Sequence, residues 1–91
     1  MRIIDEFDAG LIKMTVFQMN GRISIKAEAG LMEQVFKFRD GSGIENAADA
    51  RRFCDDQFLE KVSAIFSQMA AVRNQRFDRM IHEESGSDLI I

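Results

Sequence analysis

Polar and apolar residues alternate along the first 40 positions and recur at helical spacing after them. Residues 11–19 read L-I-K-M-T-V-F-Q-M and residues 22–28 read R-I-S-I-K-A-E, the two-residue period of half-buried strands. Asn20-Gly21 separates them. An Asn-Gly pair between two such runs predicts a tight hairpin, because both central residues of a type I′ turn need φ > 0. A two-residue loop makes paired positions sum to 41, so Val16 faces Ile25, Met14 faces Ala27, Lys13 faces Glu28 and Phe17 faces Ser24. Apolar then meets apolar and cation meets acid, so register and pattern agree.

A second turn is expected at Ala29-Gly30, followed by a strand over residues 31–39, L-M-E-Q-V-F-K-F-R. Pairs summing to 59 would set Ile23 against Phe36, Ala27 against Met32 and Lys26 against Glu33. The inner face of the meander is then Ile12, Met14, Val16, Ile23, Ile25, Ala27, Met32, Phe36 and Phe38, interrupted by Gln18 and Gln34. A fourth strand over residues 2–7, returning through Asp8-Ala9-Gly10, is weakened by its acids, so the sheet is expected to have three or four strands.

Asp40-Gly41-Ser42-Gly43 reads as a connector. Asn46 suits a helix N-cap, and Ser42 with Glu45 suits a capping box one turn earlier. Beyond Ala50, the residues Cys54, Phe58, Val62, Ile65, Met69 and Val72 form one helical stripe, flanked by Leu59, Phe66, Phe77 and Met80. The pattern predicts a short helix near 46–54 and a long one near 56–83, with Asp56 capping the second. Ser85-Gly86-Ser87-Asp88 is expected to end it, leaving a tail over 85–91. Strands first and helices afterwards make an α+β fold: an antiparallel meander over about 1–40 and a helical part over about 44–84 covering one sheet face. With 91 residues, one domain is expected.

Composition narrows the chemistry. One Cys and one His are too few for a disulfide framework or a Cys/His metal cage, and no apolar run approaches the roughly 18 residues of a membrane-spanning helix. The N-terminus turns acidic after Ile3-Ile4, unlike a secretion signal, so a cytoplasmic location is expected. No nucleophile, phosphate-loop or metalloprotease motif occurs, and the reading is of a non-enzymatic chain without cofactor or metal. Cys54 falls on the apolar stripe, beside two acids that would raise a thiol pKa, and reads as core. His82, one turn after Asp78, suits the negative end of a helix. The acid pairs Asp5-Glu6, Asp55-Asp56 and Glu83-Glu84 point in different directions along any regular element, which argues for solvated surface over carboxylate dyads.

Charge changes the picture in two places. Residues 11–39 carry five basic and two acidic side chains, whereas the rest carries seven and thirteen, within a net charge of −3. Lys13, Phe17, Arg22, Lys26, Lys37 and Arg39 then form a basic outer sheet face with an aromatic, the elements of a single-stranded nucleic-acid platform. Secondly, Arg73 and Arg76 fall inside the helical stripe set by Val62, Ile65 and Met69, where an intramolecular core would not place them. A helix over 56–83 would span about 42 Å, against about 30 Å for a compact domain of this length, so roughly two turns should overhang. The leading expectation is therefore a self-associating interaction domain: a homodimer, with room for another protein partner, whose interface includes Arg73, Arg76, Phe77, Met80 and Ile81. The alternative expectation is nucleic-acid binding on the basic face.

Overall fold

The computed structural model describes residues 1–90, with residues 84–90 described in backbone only. Four strands, β1 (Arg2–Ala9), β2 (Ile12–Met19), β3 (Arg22–Ala29) and β4 (Met32–Lys37), form one antiparallel sheet in the order β1-β2-β3-β4. Two helices follow, α1 (Ala47–Phe53) and α2 (Asp56–Ile90). This is the expected α+β meander with a short and a long helix.

Turn chemistry sets the register. Asn20 and Gly21 have φ of 53° and 78°, the double left-handed conformation of a type I′ turn, and β2 pairs β3 with Val16 opposite Ile25 as read from the sequence. The β3–β4 turn differs from expectation. It is Gly30-Leu31, not Ala29-Gly30, so Ile25 pairs Phe36, Ala27 pairs Gln34 and Lys26 pairs Val35. The reason is steric: the first loop position takes a positive φ, 60° at Gly30, which the earlier register would have imposed on Ala29. Because the slip is two residues, every side chain keeps its expected face. One cost appears on the outer face, where Glu28 lies opposite Glu33. Lys26 offsets it by reaching Glu28 at 3.2 Å.

Of the three or four strands expected, four are present, the additional one being β1. Gly10, with φ 62°, opens a turn of the same kind with Leu11, and β1 pairs β2 from Ala9↔Ile12 to Arg2↔Gln18. A bulge between Ile3 and Asp5 disposes of the acids. Ile4 packs against the core, Asp5 reaches α1, and Glu6 and Asp8 point outward in register with Thr15 and Lys13. Gln18 receives a hydrogen bond from Arg2 at 2.8 Å. Gln34 donates to the Val62 carbonyl of α2 at 3.0 Å, tying the last strand to the long helix. Both polar interruptions of the inner face are thereby satisfied.

Asn46 caps α1 by accepting from the Asp49 amide at 2.8 Å, and Asp49 accepts in return from the Glu45 amide at 3.1 Å. The reciprocal cap therefore uses Asn46 and Asp49, and Ser42 instead accepts locally from Ile44 at 3.4 Å. Asp55, not Asp56, caps α2: its carboxylate accepts from the Phe58 amide at 2.8 Å, three residues on, as an N-cap requires. The core is Ile12, Met14, Val16, Ile23, Ile25 and Ala27 of the sheet against Ala50, Cys54, Val62 and Phe66 of the helices. An edge-to-face aromatic chain, Phe38–Phe53–Phe58–Phe36, closes its β4 side with centroids 4.8–5.1 Å apart. On the β1 side Arg51 bridges Asp5 at 2.7 Å and lies 4.1 Å from the Phe7 ring centre.

α2 does not stop at the Ser-Gly-Ser segment. It runs for 35 residues to Ile90, so the expected tail over 85–91 is helical as far as it is described, and Ile91 lies outside the described residues. An established helix propagates at little cost per residue, and one interior Gly costs only about 1 kcal/mol relative to Ala. The molecule extends 60 × 27 × 19 Å with a radius of gyration of 18.2 Å, well above the roughly 12 Å of a compact chain this long. No helix among the described residues is long and apolar enough to cross a membrane.

Candidate functional site

α2 has two halves with different surroundings. Val62 and Phe66 are 1% and 5% exposed against the sheet, and Met69 and Ala70 are half-buried. From Ala71 to Glu83 every residue is exposed. The apolar residues nevertheless continue, with Val72, Phe77 and Ile81 at 68%, 54% and 60% and Met80 also exposed. At 100° per residue, Arg73, Phe77 and Met80 return to the stripe that buries Val62 and Phe66. The expected overhang is thus longer than two turns, and the five residues read as an interface, Arg73, Arg76, Phe77, Met80 and Ile81, all lie on it in the open. Arg76 contacts Glu83 at 3.2 Å, and Arg73 contacts the Asn74 side chain at 3.4 Å. Both contacts are solvent-exposed and therefore weak.

The sheet face away from the helices carries all six residues of the basic-platform reading. Lys13, Phe17, Arg22 and Lys26 stand on the outward positions of β2 and β3, Lys37 follows on β4, and Arg39 lies just beyond it. The fourth strand alters their setting by adding Glu6 and Asp8 to the same face, with Asp8 in register with Lys13. Lys26 is shared between Glu28 and the Phe17 ring, 5.3 Å away, and Arg22 lies 3.7 Å from Asp40. Thr15, at the centre of this face, is buried between the cross-strand neighbours Glu6 and Lys26. Lys37 and Arg39 join Met1, Phe17 and Met19 in lining an open groove at the Asn20-Gly21 end.

A second groove, of about 630 Å³, lies between the β1–β2 hairpin and the first two turns of α2. Its floor is apolar, with Phe7, Ile12 and Leu59, its helix rim holds Asp56 and Glu60, and no basic residue lines it; Asp8 borders it by position on β1 while its side chain belongs to the outer sheet face. Leu11 stands at its edge, 99% exposed at the tip of the turn, and Leu31 is 95% exposed at the equivalent tip of β3–β4. Sequence reasoning missed these two leucines because it gave both to strands. The available signal was a local echo, Ala9-Gly10-Leu11-Ile12 and Ala29-Gly30-Leu31-Met32, in which each Gly opens a turn and each Leu follows it.

The remaining candidates have ordinary settings. Cys54 is buried at the end of α1, and burial pushes its thiol up to about 11, with Asp55 acting in the same direction and Arg51 opposing. The hydrogen bond from Arg51 holds the Asp5 carboxyl below its usual range. His82 is exposed on the overhang, and no group of three or more potential metal ligands occurs among the described residues. The chain matches no known family, no curated protein and no solved structure.

Proposed function

We propose that this chain is a self-associating interaction domain whose α2 overhang forms the contact. The observation that carries the reading is the persistence of large apolar side chains on a helix that has left its own sheet. An isolated solvated helix gains nothing from Phe77, Met80 and Ile81, whereas a contiguous apolar stripe rimmed by charge is the usual mark of an interface. Arg73 and Arg76 within that stripe fit a protein interface, whose composition favours Arg and aromatic residues over Lys and acids. A homodimer is the simplest assembly, because a two-fold axis lets one surface serve twice. The nucleic-acid reading has less support: Glu6, Asp8, Glu28 and Glu33 share the sheet face with its cations, and Arg22 and Lys26 are engaged within the chain.

Sedimentation equilibrium of the intact chain and its Phe77→Asp variant tests the proposal. A self-associating parent and a monomeric variant with unchanged secondary structure are the expected pair. A variant that associates as strongly as the parent would remove the overhang from the interface.

A further inference from the structure

Resting on that reading, we infer that the surface receiving the overhang is the acid-rimmed groove of a second copy of the same chain, between its β1–β2 hairpin and the start of its α2. The two surfaces complement one another in shape class and charge. The overhang offers Phe77 and Met80 with Arg73 and Arg76; the groove offers the apolar floor of Phe7, Ile12 and Leu59 beside the α2 carboxylates Asp56 and Glu60. Arginines in an apolar stripe, costly to leave in a closed core, find carboxylates there. Their present partners, Glu83 and Asn74, are exposed and readily exchanged.

The chain cannot fill its own groove. α2 is one helix from Asp56 to Ile90, and Glu60 and Arg73 stand about 20 Å apart along it. The stripe must therefore come from another molecule. A two-fold arrangement of antiparallel α2 helices sets the N-terminal half of each beside the C-terminal half of the other, so each overhang reaches the other copy's groove and the seat is used twice. The overhang then covers the partner with the same helical face that its earlier turns apply to their own sheet. Leu11, exposed at the groove edge, gains a neighbour in the same step.

Cysteine cross-linking tests this arrangement. Glu60 and Asn74 are both exposed, one on the groove rim and one on the overhang, and the lone natural thiol is buried. Treated with a short bis-maleimide, a mixture of Glu60→Cys and Asn74→Cys chains should give a covalent dimer that neither variant forms alone. Within one chain the two positions are about 21 Å apart along the helix, beyond such a linker. A Glu60→Lys variant should associate on the order of tenfold more weakly, since it opposes a cation to the incoming arginines. Self-linking of Asn74→Cys alone would indicate parallel overhangs and overturn the inference. Absence of the mixed product in a chain that still sediments as a dimer would also overturn it, leaving self-association standing. A parent that is monomeric throughout would remove both.

Discussion

Cys54 closes α1 with its amide on the Ala50 carbonyl at 3.1 Å, while its side chain enters the core beneath the helices. Its thiol pKa rises from 9.0 to about 11 because burial disfavours the thiolate. The unfolded chain therefore ionises first, and stability falls as pH rises from about 9 towards 11, having been fully present below that window. Native protein at pH 8 should resist thiol alkylation and react stoichiometrically once denatured, as mass spectrometry would read. Rapid labelling of the native chain would mean that the α1–α2 junction opens. Gly21 makes a separate claim at the same scale. With φ at 78° it occupies the second loop position of the β2–β3 turn, a conformation that β-branched residues resist. Gly21→Val should destabilise by about 1 kcal/mol or more in denaturant titration, and an unchanged midpoint would contradict the type I′ turn.

Among the elements, α2 is divided by its surroundings more than by its sequence. Phe66 is buried and Phe77 is exposed, though both belong to one continuous helix. Phe66→Ala should cost on the order of 3–5 kcal/mol of folding stability, a large share for a small domain. Phe77→Ala should stay within about 0.5 kcal/mol when measured at concentrations where the chain is monomeric. Equal losses at both positions would mean that the overhang folds back on its own sheet. The same division explains what was legible beforehand. Alternation and the Asn20-Gly21 turn were sufficient for β2 and β3, because one face must be apolar and only one register satisfied both faces. The β3–β4 register escaped, since a two-residue slip preserves every face and only the φ demand on Gly30 distinguishes the choices. β1 was obscured by Asp5, whose place on the inner side depends on a bulge and on Arg51, 46 residues later. The exposed stripe of the overhang was legible from Arg73 and Arg76 against helical spacing. The groove was not, because it joins Phe7–Ile12 to residues of α2 that are remote in sequence.

For the whole molecule, the long dimension of 60 Å is set by a helix of about 52 Å that outruns its sheet. A monomer of that shape leaves one end of α2 without tertiary support, and helices held only by propensity are marginal in water. In the proposed dimer a second copy would supply what the sheet cannot: an apolar floor for Phe77 and Met80 and carboxylates for Arg73 and Arg76. Salt should weaken that association, because part of the contact is between exposed charges, while the apolar stripe keeps it from vanishing. Static light scattering across a concentration series tests the claim most directly. The account predicts a mass that rises with concentration to twice 10.4 kDa and falls back when Phe77 is replaced by Asp. A mass of 10.4 kDa at every concentration would contradict it.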